Sequence, residues 1–172
     1  CTGNYTGYDE PRWYGAGAAI FCSALRDIDA VMGDDEKLIG RMIAACRDLD
    51  PKLTAMVGSP VPMVVGSDMK GIATELEART GLPGFGFDTT GTAYYDHGVS
   101  AALIALLERF AEPSPSVPNT VGIVGATPLD FADGVDIRNL QDALQERGVE
   151  VTATLAMGYD MEALRRAASA RV

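Results

Sequence analysis

Apolar positions along the chain follow two alternating rhythms. Short, mostly apolar runs at 29–32, 53–57, 84–87, 120–124 and 149–155 predict strands. Between them lie stretches whose apolar residues recur every three or four positions, the spacing of an amphipathic helix. In the first, Leu38, Ile39, Met42, Ile43 and Cys46 form the stripe. The acidic run Asp34-Asp35-Glu36 opens it, where negative charge suits the positive end of the helix dipole. A second helix is predicted to start at Asp68 as N-cap, to turn Ile72, Ala73 and Leu76 inward, and to end at Gly81 in a left-handed conformation. A third carries Ala102, Leu103, Leu106, Leu107 and Phe110. A fourth, capped by Asp136, turns Ile137, Leu140 and Leu144 inward and stops at Gly148, and a last one is capped by Asp160 and contains Leu164.

Parallel neighbouring strands need crossover connections, and helices between strands supply them. The predicted fold is therefore α/β: a Rossmann-like parallel sheet with helices on both faces, built of repeated βα units. Glu112-Pro113-Ser114-Pro115-Ser116-Val117-Pro118 breaks the rhythm, because three prolines favour an extended linker. It divides the chain into a first α/β domain at 1–112, a linker at 113–118 and the start of a second α/β domain at 119–172. The chain opens on Cys1 and stops at Arg171-Val172, where another strand is due, so it reads as an internal piece of a longer protein.

Charge narrows the classes of partner. Fourteen Lys and Arg are scattered among 24 Asp and Glu, for a formal charge of −10. A nucleic-acid surface needs clustered cations, so none is expected. No apolar stretch approaches the roughly 20 residues that span a bilayer, and no secretory leader pattern opens the chain. The expectation is a cytoplasmic protein without a membrane role. Cys1, Cys22 and Cys46 are odd in number and form no CxxC pair, which points to reduced thiols rather than a disulfide framework or a self-contained zinc site.

Ligands of open parallel sheets sit outside the carboxyl ends of the strands. Three predicted loops there are rich in Gly, Pro, Ser and Thr: Gly58-Ser59-Pro60-Val61-Pro62, Asp88-Thr89-Thr90-Gly91-Thr92 and Gly125-Ala126-Thr127-Pro128. Each either presents amides and hydroxyls to a ligand or simply turns the chain. Neither GxGxxG nor GxxxxGK[ST] occurs, so no nucleotide cradle is expected. His97 is the only histidine; beside Tyr94, Tyr95 and Asp96 it is either a proton donor or a solvated residue at a helix start. Cys22 and Cys46 fall in or beside helical patterns, where small buried thiols are common. Cys1 opens Cys1-Thr2-Gly3-Asn4-Tyr5, a loop in which a thiolate can approach a metal cluster with backbone amides nearby.

Taken in order, these segments resemble the nitrogenase component 1 family. Cys1-Thr2-Gly3-Asn4-Tyr5 is similar to the family's Gly-Cys-Gly-x-Tyr cluster loop, and Asp29-Ala30-Val31-Met32-Gly33-Asp34-Asp35-Glu36-Lys37-Leu38 to its Asp-Ile-Val-Phe-Gly-Gly-x-x-Lys-Leu segment. The run from Ser59-Pro60 to Ser67-Asp68 resembles Cys-Pro-x-x-Leu-Ile-Gly-Asp-Asp, and Thr89-Thr90-Gly91 through Gly98 resembles the loop and helix start near the family's active cofactor. Beyond the linker, 120–125 and 140–151 resemble the opening of its second domain.

The resemblance implies a parent oxidoreductase fed by an ATP-dependent iron–sulfur reductase and paired with a homologous subunit. It implies an iron–sulfur cluster with Cys1 as a metal ligand, surrounded by Ser59, Thr89 and Thr90, and a cofactor-facing helix start bearing Tyr95 and His97. Ser59 stands where the family carries its third cluster cysteine. Tyr95 and Val99 stand where dinitrogen-reducing members carry glutamine and histidine, so the implied substrate is not dinitrogen. The missing cysteine leaves a second possibility, a non-catalytic scaffold or binding module for a metal cofactor or tetrapyrrole. By itself the piece is expected to be inactive and to self-associate through uncovered apolar surfaces.

Overall fold

The computed structural model describes residues 19–23, 33, 35–127, 130–131, 135–157 and 160–171. The strand expected at 29–32 and the loop opened by Cys1 lie outside the described residues. Contacts divide the chain into two compact units, whose described parts are 19–94 and 95–171.

In the first unit the order is α1 (Asp35–Leu49), β1 (Thr54–Val57), α2 (Pro60–Val64), α3 (Met69–Thr80) and β2 (Gly84–Phe87). Strands β1 and β2 pair in parallel, with Thr54 opposite Gly84 and Met56 opposite Gly86. In-register residues share a face, so Thr54, Met56 and the two glycines line the side under α3. The glycines are there because the helix is so close. A Cβ on Gly84 would lie 2.5 Å from the Ala73 carbonyl oxygen, and one on Gly86 would meet the Met69 carbonyl and the Lys70 backbone. Met56, Met69, Ile72, Ala73 and Leu76 fill the remaining space with Ile39 of α1.

Local chemistry fixes where α3 begins and ends. Asp68 Oδ1 accepts from Gly71 N at 2.9 Å, and Gly81 closes the helix with φ +72. Arg79 donates to Glu75 at 2.6 Å and forms a two-pronged pair with Glu36, tying the end of α3 to the start of α1. That pairing holds the Glu36 carboxyl below its usual range. The turn expected at 58–62 is instead a turn followed by the short helix α2: Pro60 sits in its first turn, where a missing N–H costs nothing.

The second unit contains α4 (Tyr95–Phe110), β3 (Thr120–Val124), α5 (Val135–Gln145), β4 (Glu150–Leu155) and α6 (Met161–Arg166), followed by a 3₁₀ turn at Ala167–Ser169. Strands β3 and β4 are parallel, with an irregularity between Val121 and Gly122. Ala153, Thr154 and Leu155 are buried in succession, so both faces of β4 are covered. Ala153 and Leu155 pack with Leu103 of α4 and Ala163 and Leu164 of α6. On the opposite face, Thr154 accepts a 2.8 Å bond from Gln141 of α5.

The contact units divide at Tyr94 and Tyr95, so α4 packs with the strands that follow the 113–118 segment. That segment is fastened near both ends, Glu112 N donating to the Arg165 carbonyl and Val117 N to the Ser169 carbonyl. Asp160 caps α6 as expected, accepting from Ala163 N at 2.8 Å. Two details of α5 differ from the sequence reading. Asp136 lies within its first turn rather than before it, and Leu140 is 41% exposed, because α5 turns Ile137 and Gln141 toward β4.

Gly86→Ala is expected to lower stability by about 3 kcal/mol, since the backbone of α3 cannot yield to the new methyl. Gly40→Ala, within α1 and with open space around it, is expected to raise stability by roughly 0.5–1 kcal/mol. Urea denaturation of the two variants checks the contrast. The Thr54 hydroxyl is buried with no partner among the described residues, so Thr54→Val is expected to raise stability by about 1 kcal/mol in the same assay.

Candidate functional site

At the carboxyl ends of β1 and β2 the two loops singled out in the sequence come together. Gly58 N donates to the Phe87 carbonyl at 2.7 Å, and Thr89 Oγ1 donates to the Gly58 carbonyl at 2.6 Å. Gly58 is packed so closely that a Cβ would lie 3.0 Å from the Thr89 carbonyl oxygen. Gly91, at φ +76, sits over the ring of Pro60. Ser59 precedes α2; its carbonyl accepts from Met63 N at 3.1 Å, while its hydroxyl makes no cap bond. Thr90 and Thr92 share a hydroxyl–hydroxyl bond of 2.7 Å.

The carboxylate of this region has a structural task. Asp88 Oδ1 accepts from Met69 N at 3.2 Å, anchoring the start of α3 to the end of β2. The strand tips of the first unit therefore present hydroxyls, carbonyls and amides. They form a polar wall suited to surrounding a ligand.

Tyr95 and His97 belong to the second unit, and Cys1 lies outside the described residues. His97 is exposed on the first turn of α4. Tyr95 is half exposed, yet its hydroxyl is engaged: it donates to Asp130 Oδ1 in a short bond, while Thr127 Oγ1 donates to Asp130 Oδ2 at 2.8 Å. Thr127 is buried, and its carbonyl accepts from the backbone of both Asp130 and Phe131. The hydrogen bond to Asp130, helped by desolvation and by the charges of Asp130 and Asp96, pushes the Tyr95 phenol up from its ordinary value. The bonds from Tyr95 and Thr127 hold the Asp130 carboxyl down. The folded chain thus keeps a neutral phenol against an ionised carboxylate.

Asp130 was not among the residues singled out from sequence. Its spacing from Thr127 is that of a side-chain-closed turn, a signal too common to mark a site. Val99, noted for its position, lines a cleft with Tyr95 and Asp130. Just past β4, Ala156 has φ +88, a strained conformation for a residue with a Cβ, at the carboxyl tip of that strand. Burial pushes the Cys46 thiol up, away from the reactive thiolate, whereas Cys22 is exposed. Among the described residues no three His, Cys, Asp or Glu side chains converge as a metal site, and no helix is long and apolar enough to cross a membrane.

The Tyr95–Asp130 bond has a defined pH window. Its depressed acid contributes stability that is lost as pH falls through the folded carboxyl value, and its raised phenol contributes stability that is lost as pH rises through the folded phenol value. Asp130→Asn is expected to bring the Tyr95 titration back down toward that of an ordinary tyrosine, followed by NMR of the labelled phenol carbons. An unchanged titration contradicts this account of the bond.

No curated protein matches the chain significantly. Among solved structures, it is similar to "Nitrogenase Cp1 at pH 6.5", with TM-score 0.74, 18% identity, and coverage of 88% of this chain and 29% of that one. It is also similar to "Nitrogenase Cp1 at pH 5", with TM-score 0.71, 18% identity, and coverage of 85% and 30%. The chain thus spans under a third of those chains' length, and at this identity the likeness shows the fold. The sequence profile of the nitrogenase component 1 type oxidoreductases matches residues 5–172, nearly the whole chain, and the chain belongs to that family.

Proposed function

We propose that the intact protein is a nitrogenase-like oxidoreductase. It accepts low-potential electrons from an ATP-dependent iron–sulfur reductase and delivers them, through an iron–sulfur cluster held in part by the Cys1 thiolate, to a substrate other than dinitrogen. Residues 1–112 and 119–172 then belong to successive domains of that protein, which pairs with a homologous subunit. The observation that carries the reading is the junction of the Gly58-Ser59-Pro60 turn with the Thr89-Thr90-Gly91 loop at the carboxyl ends of two parallel strands. This is where ligands of such sheets bind.

The described residues fit the surroundings of a cluster rather than its ligand set. Ser59, Thr89 and Thr90 offer hydroxyls and the loops offer amides, groups that tune a cluster's potential by hydrogen bonding and burial. Thiolates must come from Cys1 and from other parts of the intact protein. When bound, the cluster supplies one-electron transfer. The role of this wall is to exclude water from it and set its hydrogen bonding.

A second reading is favoured by one residue. Ser59 places a hydroxyl where the family's pattern has a thiol, and a weaker ligand set suits a scaffold that holds a metal cofactor or tetrapyrrole and gives it up. Anaerobic reconstitution of the full-length protein is expected to yield bound iron, sulfide and a reducible chromophore, all lost in Cys1→Ala. Absence of iron uptake overturns the oxidoreductase reading. A stable cofactor that passes to a second protein without turnover decides for the scaffold.

A further inference from the structure

Gly58 is gripped through both of its backbone polar groups by the end of β2. Its N–H donates to the Phe87 carbonyl at 2.7 Å, and its carbonyl accepts from Thr89 Oγ1 at 2.6 Å. Thr89 N donates to the same Phe87 carbonyl at 2.9 Å, so the two strand tips close into one ring of hydrogen bonds. The ring has no slack, since a Cβ on Gly58 would meet backbone atoms of Phe87 and Thr89 at 3.0–3.1 Å.

This grip reaches Ser59 through the chain. The Gly58 carbonyl and the Ser59 N–H belong to one planar peptide, so fixing the first orients the second. On its other side Ser59 precedes Pro60, which confines it to extended backbone, and it lies at φ −142 and ψ 169. Pro60 is hemmed in as well: a Cβ on Gly91 would lie 3.1 Å from its Cγ.

The hydroxyls of Ser59, Thr89 and Thr90 therefore have unequal tasks. The Thr89 proton goes to Gly58, and Thr90 is bonded to Thr92. Of the three, only the Ser59 hydroxyl has no hydrogen-bond partner among the described residues. It does not cap α2, whose third residue, Pro62, has no N–H to offer.

We propose that Thr89 is a positioning residue and Ser59 the group it positions. The Thr89 hydroxyl clips the turn, the Ser59 hydroxyl donates to a sulfur of the bound cluster, and Thr89 itself does not touch that cluster. This division of labour rests on the cluster reading and assigns roles within the same site. A donated hydrogen bond favours the more negative, reduced cluster, so it raises the potential.

The test reconstitutes the full-length protein as Ser59→Ala, Thr89→Val, Thr89→Ser and the double variant Ser59→Ala/Thr89→Val. Ser59→Ala is expected to lower the midpoint potential of the cluster. Thr89→Val is expected to lower it too, Thr89→Ser to restore it, and the double variant to lie no lower than Ser59→Ala alone. In the iron-free protein, Thr89→Val is expected to speed amide hydrogen exchange at Gly58 about tenfold, as the loss of one hydrogen bond allows. Ser59 is only half-buried, so its variant carries the test if Thr89→Val disturbs the fold. Additive shifts in the double variant mean that Thr89 donates on its own account and overturn the proposal. A potential unmoved by Ser59→Ala, or an exchange rate unmoved by Thr89→Val, overturns it equally. Failure to bind iron removes the cluster reading and this assignment with it, whereas a bound cluster with additive shifts removes the assignment alone.

Discussion

The first unit is organised by the contact of α3 with the glycines of β2. A strand reading Gly84-Phe85-Gly86-Phe87 gives up side-chain packing on one face, and what replaces it is the backbone of a helix. Because that backbone is rigid, the distance between helix and strand is set by hard contact rather than by adjustable rotamers. Met56 and Leu76 then fill the space to either side. The start of α3 comes to lie at the end of β2, where Asp88 closes it, and the loop at 88–92 is held against Gly58 and Pro60. A turn that carries no buried side chain of its own is in this way positioned by a helix–strand contact on the sheet face beside it.

The second unit reaches its geometry by a different route. Apolar packing of Leu103 against Leu155 and Leu164 fixes α4 along the sheet, and the axis of that helix carries its first residue to the segment beyond β3. There the interaction is polar: a phenol, a carboxylate and a buried hydroxyl close on one another. Asp130 can stay ionised beside an apolar cleft because it receives two donors. The first unit spends its carboxylate at Asp88 on capping a helix, whereas the second leaves carboxylate oxygens bordering a cleft. Loops of similar composition therefore do different chemistry.

Membership of the nitrogenase component 1 type oxidoreductases accords with this arrangement of parallel strands and helices, since the family profile runs through both units. Of the residues singled out from sequence, Ser59 lies at the strand-tip junction of the first unit, and Tyr95 and Val99 line one cleft of the second. The phenol in particular is turned toward a partner on its own chain.

Much of the framework was legible without coordinates. The boundaries of β2 and β3, the Asp68 and Asp160 caps, the Gly81 stop and the buried stripe of α3 follow from periodicity and capping, which act over a few residues and are written locally. The order of family-like segments was equally legible. What the sequence could not determine are contacts between residues far apart in the chain. The reason for two glycines in β2 lies in α3, the partner of Tyr95 lies 35 residues away, and α4 packs with strands beyond the proline-rich segment at 113–118. Local propensity encodes each element, but only the folded backbone brings Asp130 to Tyr95. Their altered acidities exist because the two groups meet.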